Sequence, residues 1–168
     1  MNKIAIIYSF NTVKTAKIAN KIKVAFSPEN VEMINAEEIT ADKFLSFDNL
    51  VLGVPTWFDG ELPNYWDEFI PDLEEMDLKG KKIAIFGLGD QKNYSENFID
   101  AVGIMARIIE NVGGSIVGLT SINGYDFEGS TAQKGNQFLG LAIDFENQDT
   151  LNKERVSSWV EQLKKEFN

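Results

Sequence analysis

Short, almost wholly apolar runs recur along the chain, and each is followed by a segment with helical periodicity. Residues 3–8 (KIAIIY), 50–52 (LVL) and 82–86 (KIAIF) are the clearest of these runs. A strand without a polar face must be covered on both sides, as in a parallel sheet between two layers of helices. The alternation therefore predicts an α/β fold whose helices connect parallel strands.

The spacing of the other apolar residues predicts the remaining elements. We expect strands at 31–34 and 115–119, a helical turn at 41–44, and helices at 16–26, 62–73, 98–112 and 152–167. Pro63 suits a first helical turn, and Ser95 is the expected N-cap of the helix over 98–112. Residues 120–137 are polar and rich in glycine, so we expect a long insertion in or after the last strand.

Length and composition limit what the chain can be. Its 168 residues are predicted to form a single domain over 1–168. The chain has no Cys and no His, which removes disulfides, thiolate nucleophiles and the commonest general base and metal ligand. No stretch approaches the ~18 apolar residues of a membrane span, and no signal-peptide pattern opens the chain. We therefore expect a cytoplasmic protein with no membrane anchor.

The charge is strongly acidic, with 26 acidic and 16 basic residues and a net charge of −10. Nucleic acid is an unfavourable partner for such a chain, because a polyanion would be repelled. Many acids fall in one segment: Asp59, Glu61, Asp67, Glu68, Asp72, Glu74, Glu75 and Asp77. They form either a solvated helix face or a docking surface for a basic protein partner.

Hydroxyl groups follow the first predicted strand, where a helix begins. Residues 9–15 read SFNTVKT, and the amide groups of a helix N-terminus attract anions. Thr12 and Thr15 can add hydroxyl donors to a phosphate site. The simpler alternative is that Thr12 is only the N-cap of the helix.

Large aromatic side chains follow the third and fourth predicted strands. Trp57 comes after residues 50–52, and Gly89, Asp90 and Tyr94 come after the strand over 82–86. In a parallel sheet, loops at the carboxyl ends of the strands meet at one edge, where ligands bind. A flat ring system with a phosphate tail, such as flavin mononucleotide (FMN), fits the three loops together. Trp57 as a core or loop anchor is the alternative.

Several motifs, taken in order, resemble those of the long-chain flavodoxins. The resemblance covers essentially the whole chain, so the joint pattern is specific. The matching segments are 53–57 (GVPTW) with 60–62 (GEL), 86–91 (FGLGDQ) with Tyr94 and 96–98 (ENF), 124–127 (GYDF), and 140–144 (GLAID) with Asn147 and Gln148.

The resemblance implies a fold and a function. The fold would be a flavodoxin-like three-layer sandwich, with a five-stranded parallel sheet in the order 2-1-3-4-5 and helices on both faces. The function would be that of a low-potential one-electron carrier with non-covalently bound FMN, not an enzyme. Its partners would be a reductase donor and an oxidoreductase acceptor, which dock transiently at the acidic face beside the flavin edge. We expect a monomer.

The resemblance also implies which residues hold FMN, and it implies no catalytic residue and no metal. The FMN-binding residues would lie in four groups. Those at the phosphate are Ser9, Phe10, Asn11, Thr12, Val13, Lys14 and Thr15. Those after the third and fourth strands are Pro55, Thr56, Trp57, Phe58, Asp59 and Gly60, and Leu88, Gly89, Asp90, Tyr94 and Asn97, and Glu146 lies near the ribityl chain. On residue type alone, Asp90 could instead cap its own loop, and Glu61 could be a first-turn helix charge.

The phosphate loop departs from the family pattern Thr/Ser-x-Thr-Gly-x-Thr. Phe10 replaces the first hydroxyl and Val13 replaces the glycine. Losing a hydroxyl donor costs ~1 kcal/mol, and a valine resists the positive φ that glycine accepts. We expect the loop still to bind phosphate, more weakly, through its amides, Thr12 and Thr15, with Lys14 as a further donor.

Other classes of protein remain as alternatives. A phosphoacceptor receiver domain would need acids where Ser9, Phe10, Val54 and Pro55 stand, so it fits poorly. A flavin-dependent quinone reductase shares the fold, but it needs room for a substrate over the ring. A binding-only protein is the third alternative, motivated by the altered phosphate loop.

Overall fold

A parallel β-sheet forms the centre of the computed structural model, which describes residues 2–168. Its strands lie in the order β2-β1-β3-β4-β5, and β9 also pairs with β4. The predicted order 2-1-3-4-5 is therefore confirmed. The strands are β1 (Ile4–Tyr8), β2 (Val31–Asn35), β3 (Asn49–Gly53), β4 (Lys82–Leu88), β5 (Ser115–Val117) and β9 (Leu141–Ile143).

Helices connect the strands and cover both faces of the sheet. Within residues 2–168, no helix is both long and apolar enough to cross a membrane. Short 3₁₀ turns occupy Pro28–Asn30, Ala36–Glu38 and Asp149–Leu151. The α-helices are α1 (Lys14–Phe26), α2 (Ala41–Leu45), α3 (Asn64–Asp67), α4 (Ile70–Glu74), α5 (Asp100–Asn111), α6 (Phe145–Gln148) and α7 (Asn152–Glu166).

Alternate side chains of each central strand enter two separate cores. In β1, Ile4 and Ile6 pack with the apolar faces of α1 and α7, whereas Ala5 and Ile7 pack on the side of α3, α4 and α5. All four side chains are fully buried. This two-sided burial is the reason that the strands read as continuous apolar runs, since neither face meets water.

The last strand position is split by the insertion. Both β5 and β9 pair in parallel with β4, through Ile83 with Ile116 and Gly87 with Ala142. Between them, β6 (Thr120–Ser121), β7 (Gln133–Lys134) and β8 (Gln137–Phe138) form a small antiparallel sheet in the order β6-β8-β7. Of the two arrangements expected from the sequence, the insertion thus interrupts the strand rather than following it.

The insertion has an aromatic core and packs on α5. The ring of Phe138 lies 5.0 Å from Tyr125, 5.3 Å from Phe127 and 5.8 Å from Phe98, measured between centroids. On α5, a Cβ at Gly103 would stand 2.3 Å from the carbonyl oxygen of Thr131. The backbone of the insertion therefore rests directly on this helix, at a point that only glycine allows.

The single helix predicted over 62–73 is wrong, because the segment forms two short helices. They are α3 and α4, joined through Glu68 and Phe69. Pro71 lies in the first turn of α4. It has no backbone N–H and cannot continue the hydrogen bonding of α3, so a new helix begins there.

The predicted N-cap at Ser95 is also wrong. Helix α5 begins at Asp100, after Ile99, which has a left-handed φ of 47°. Ser95 instead binds the insertion, since its carbonyl oxygen accepts the amides of Glu128 at 2.8 Å and Gly129 at 2.9 Å. The preference of serine for helix N-caps was overridden by this tertiary contact.

Gly103→Ala tests the docking of the insertion on α5. Alanine would favour a free helix by about 1 kcal/mol, but here its methyl group must push Thr131 aside. We expect a net loss of about 1–3 kcal/mol in the free energy of unfolding, measured by urea denaturation. The control is Glu110→Ala on an exposed position of α5, expected within about 0.5 kcal/mol of wild type. A Gly103→Ala protein as stable as the control would contradict the contact.

Candidate functional site

A cleft of about 320 Å³ opens at the carboxyl edge of the sheet, between the loops that follow β3 and β4. Every residue lining it was predicted as a site residue. Parallel pairing of β3 with β4 brings the two loops together, through Leu52 with Ile85 and Gly53 with Phe86. The lining residues are Thr56, Trp57, Phe58, Gly89, Asp90, Tyr94 and Asn97.

The loop after β3 closes on itself. Trp57 and Glu61 exchange two backbone hydrogen bonds, each of 2.8 Å. Between them, Phe58 has a φ of 50°, a left-handed conformation that costs a non-glycine residue about 1–2 kcal/mol. Gly60 has a φ of 103°, and a Cβ there would lie 2.6 Å from Oδ2 of Asp100. Glu61 is thus part of this closure and not a first-turn helix charge, because α3 begins only at Asn64.

Trp57 is anchored in the protein and still lines the cleft. Its ring meets Tyr65 edge to face, with 5.9 Å between centroids, and Phe58 at 6.4 Å. Tyr65 is buried, and burial together with the charge of Glu37 raises its pKa well above the usual range. The two interpretations of Trp57, as a loop anchor and as a ligand contact, therefore do not exclude each other.

The loop after β4 is held from within by the Asp90 carboxylate. Oδ1 of Asp90 accepts the amides of Lys92 at 3.1 Å and Asn93 at 3.0 Å, so the loop-cap alternative is right for this side chain. The amide of Gly89 donates to the carbonyl of Ile143. Tyr94 remains 49% exposed at the cleft. What Asp90 can offer a ligand is its backbone N–H, since its carboxylate is engaged within the protein and its carbonyl accepts the amide of Tyr94 at 2.9 Å.

A chain of polar side chains connects this loop to the insertion. The amide nitrogen Nδ2 of Asn147 donates to Asp90 at 2.8 Å and to Asp144 at 2.9 Å. The fully buried Asp144 also accepts the backbone and side-chain N–H groups of Gln91. Gln91 in turn accepts the amide of Asp126 at 2.6 Å. The loop beside the cleft and the insertion are therefore parts of one hydrogen-bonded unit.

The loop over residues 9–15 reaches the first turn of α1 without a positive φ. Val13 has φ −101° and ψ −57°, so the glycine of the family pattern is not required for this backbone. Thr12 is not the N-cap, because Val13 holds that position without a side-chain cap. The Thr12 hydroxyl instead donates to the carbonyl of Ser9 at 2.7 Å. Phe10 is half exposed, with its ring 5.0 Å from that of Tyr8.

The start of α1 is suited to an anion. In a helix, the amides of the cap residue and the first turn, here residues 13–16, have no intrahelical acceptor. Lys14 lies beside them, but its Nζ is 2.6 Å from the carboxylate of Glu146. The pair is exposed and contributes at most about 1 kcal/mol. Glu146 therefore lies next to the start of α1 and offsets the charge of Lys14, while its predicted place near a ribityl chain stays a prediction.

Sequence reasoning missed the residues that support these loops. Asn35, at the end of β2, and Glu37, in the 3₁₀ turn that follows, contact the loop over residues 9–15, and Asn147 contacts Asp90. Strand order is the signal that could have found Asn35 and Glu37, because β2 lies beside β1 and their exits share one edge. The role of the predicted residues toward a ligand stays a prediction.

The remaining predicted residues fall in the same loops. Pro55, Asp59, Gly60 and Leu88 belong to the segments that form the cleft, and the amide of Thr56 donates to the carbonyl of Leu88 at 3.2 Å. Among residues 2–168, no group of acidic side chains converges as a metal site would require.

Another cleft, of about 340 Å³, lies between the insertion and α7, where it is bordered by Tyr125, Arg155 and Trp159. It has a similar size but lies away from the carboxyl edge, where the loops that carry Trp57 and Tyr94 meet and where α1 begins. Arg155 stacks on Tyr125 there, with 4.0 Å from guanidinium carbon to ring centroid. We therefore place the functional site in the cleft beside Trp57 and Tyr94.

Asn147→Ala tests the support of the loop after β4. Partial burial opposes ionisation of Asp90, but hydrogen bonds from Asn93 and Asn147 outweigh it and lower its pKa. A carboxyl group whose pKa is lowered by folding stabilises the fold at pH values above its ordinary pKa. That stabilisation is lost as the pH falls through the pKa of the group in the folded protein. We expect the variant to raise the pKa of Asp90, followed by carboxyl ¹³C NMR, and to lose this stabilisation at a higher pH. Asn20→Ala on α1 is the control, and an unchanged Asp90 pKa in Asn147→Ala would refute the contact.

Comparisons with known proteins agree on one family. A family model described as Flavodoxin matches residues 6–159. The flavodoxin of Synechococcus elongatus is 44% identical over 168 residues, which cover 99% of each chain. Flavodoxin 1 of Escherichia coli K12 is 39% identical over 164 residues, which cover 97% of this chain and 93% of that protein.

Solved structures agree in fold and sequence. The crystal structure of Fusobacterium nucleatum flavodoxin bound to flavin mononucleotide has a TM-score of 0.95 and 33% identity, with full coverage of both chains. Oxidised Flavodoxin 2 of Bacillus cereus has a TM-score of 0.74 and 30% identity, with 98% of this chain and 99% of that chain covered. With this agreement in sequence and fold, and with an insertion that splits its last strand position, the chain belongs to the flavodoxin family, among its long-chain members.

Proposed function

We propose that the protein binds FMN non-covalently in the cleft beside Trp57 and Tyr94 and works as a low-potential one-electron carrier. The observation that carries this proposal is the meeting of two aromatic side chains at one cleft, at the edge where α1 also begins. Binding of flavin mononucleotide by the similar Fusobacterium nucleatum protein supports it. The family consists of electron-transfer proteins, which supports a carrier rather than an enzyme.

The residues at the cleft fit a flat heterocycle. Tyr94 and Phe58 leave 49% and 73% of their surface exposed, an apolar area that a stacked ring would cover. Covering both faces of such a ring gains on the order of several kcal/mol. The backbone groups of residues 58–60 and the N–H of Asp90 are the available partners for its polar edge. Trp57 and Glu61 already pair with each other, and the carboxylate and carbonyl of Asp90 are engaged within their loop. The amide groups that begin α1 would hold the phosphate.

The flavin supplies the electron-accepting ring when bound, and the protein adjusts how readily it accepts charge. Asp59 and Glu61 are exposed in the loop beside Trp57. None of the four ion pairs within residues 2–168 involves either acid. Uncompensated negative charge near the ring disfavours a further negative charge there, which keeps the reduction potential low.

The acidic segment from 59 to 77 is proposed as the docking face for a reductase donor and an oxidoreductase acceptor. Its eight acids are all exposed and are absent from the ion pairs described in residues 2–168. Such a surface attracts partners with a basic patch and steers their approach.

We further propose that residues 1–168 act as one domain and as a monomer in the cytoplasm, since a transient carrier must release each partner. Sedimentation velocity tests the monomeric state, and cell fractionation tests the location in the cytoplasm.

The first experiment is an absorption spectrum of the purified protein, with mass identification of any released chromophore. A yellow protein that releases FMN supports the proposal, and a colourless protein that cannot be reconstituted with FMN refutes it. Assay of NADPH with a quinone follows. Reduction only in the presence of a separate reductase supports a carrier, and direct turnover would support the alternative of a quinone reductase.

Trp57→Ala should weaken binding of FMN at the ring. Because the variant removes one stacking face, we expect the Kd for FMN to rise at least about tenfold, measured by quenching of flavin fluorescence. Trp57→Phe keeps an aromatic face and should raise the Kd much less. Equal effects of the two substitutions would show that the indole is needed for loop packing and not for stacking.

Neutralising the acidic segment should slow association with a redox partner. We expect the variant Asp67→Asn, Glu68→Gln, Asp72→Asn, Glu75→Gln to associate about tenfold more slowly with a flavoprotein reductase at low salt, and the difference to vanish at high salt. Stopped-flow measurement of electron transfer checks this. The matched control neutralises four exposed acids elsewhere, namely Glu29, Glu110, Asp149 and Glu154. If both sets slow association equally, net charge rather than this face is responsible.

A further inference from the structure

The geometry points to Glu37 as a positioning residue for the phosphate end of the site, an inference that rests on the proposed binding of FMN. Glu37 lies in the 3₁₀ turn that follows β2, outside the predicted site. Its carboxylate holds residues 9–11 in the shape that directs the amides of residues 13–16 toward an anion. It does so in a loop that lacks the first hydroxyl and the glycine of the family pattern.

Two side chains of the loop donate to one oxygen of Glu37. The hydroxyl of Ser9 lies 3.0 Å from Oε2, and Nδ2 of Asn11 donates to the same atom. Asn35 adds a third connection, because its Oδ1 accepts the amide of Phe10 at 3.2 Å as well as that of Glu37 at 3.2 Å. Three consecutive loop residues are therefore tied to the exit of β2.

The carboxylate of Glu37 also fixes the direction of the Ser9 hydroxyl proton. An ionised carboxylate can only accept hydrogen bonds, so the single hydroxyl proton of Ser9 is directed at Glu37. The hydroxyl oxygen is then left to accept the amide of Asn11, at 3.2 Å. Ser9 is 1% exposed, so water does not replace these partners readily. Without Glu37, the proton would be free to turn, and the Asn11 amide would lose its fixed acceptor.

In this arrangement, the backbone N–H groups of the loop already have acceptors, whereas those at the start of α1 do not. The amide of Phe10 goes to Asn35, that of Asn11 to the Ser9 hydroxyl, and that of Thr12 to the Ser9 carbonyl at 3.2 Å. The amides that follow belong to the start of α1 and have no acceptor within the helix. The phosphate would therefore be held by the helix terminus, whose position depends on the turn that Glu37 supports.

A negative charge near a phosphate has a cost that must be separated from the positioning role. Glu37 is exposed, so its repulsion of an anion is screened by water and salt. Glu37→Gln removes the charge but keeps a carbonyl oxygen for Ser9 or Asn11, whereas Glu37→Ala removes both. Glu38→Ala is the matched control, because Glu38 is the adjacent exposed acid and has no hydrogen bond to the loop among residues 2–168.

The test measures the Kd of each apoprotein for riboflavin and for FMN. The Kd for riboflavin divided by the Kd for FMN isolates the contribution of the phosphate. In Glu37→Ala, we expect this ratio to fall about fivefold to tenfold while the riboflavin Kd stays unchanged. In Glu37→Gln the ratio should fall less, and in Glu38→Ala it should equal that of wild type. Amide hydrogen exchange at Asn11 in the apoprotein should be faster in Glu37→Ala, which no effect of charge on the ligand would cause.

Three results would overturn the inference. A ratio that rises in both Glu37 variants would show that the charge only repels the phosphate. An unchanged ratio in Glu37→Ala, with wild type binding FMN more tightly than riboflavin, would show that Glu37 has no part in positioning. Equal losses in Glu37→Ala and Glu38→Ala would make the effect one of general charge. A wild-type protein that binds no FMN would instead refute the proposed function itself.

Discussion

Parallel pairing of β1, β3 and β4 is the constraint on which the rest of the molecule depends. Ile7 pairs with Leu52, and Leu52 pairs with Ile85, so the three strands end together at one edge of the sheet. The loop over residues 9–15, the loop with Trp57 and the loop with Tyr94 leave from those ends. Three segments that are far apart in the chain thereby lie at one edge, where the proposed FMN site is, and the two apolar cores hold the sheet that supports them.

Close packing behind the loops leaves them little freedom. A Cβ at Gly53, where β3 ends, would lie 2.7 Å from the ring of Phe86 and 3.1 Å from a methyl carbon of Thr15. At Gly60, the contact is with Asp100, at the start of α5. These glycines are required by neighbours from other elements. The backbone of the site is thus preorganised by packing, which lowers the cost of ordering it around a ligand.

Acidic side chains at the edge of the sheet hold the loops there in place. Asp90, Asp144 and Glu37 each accept several N–H or O–H groups, from their own loops or from neighbouring segments. A carboxylate suits this task, because it accepts without donating and so fixes the direction of every partner. In a chain with a net charge of −10, some acids therefore hold loops in place, while the exposed acids between residues 59 and 77 form the proposed docking face.

The sequence by itself determined the strands of the parallel sheet, the main helices and every residue that lines the cleft. Burial on both faces leaves a continuous apolar pattern, and the motifs after the strand ends resemble those of the flavodoxin family. The break at Pro71 had a local signal, although a single helix was predicted over 62–73. Only the tertiary structure decided that the Ser95 carbonyl binds the insertion, that β5 and β9 share one strand position, and that Glu37 supports Ser9. Such hydrogen bonds join residues distant in sequence, and they exist only once strand order has placed their loops side by side.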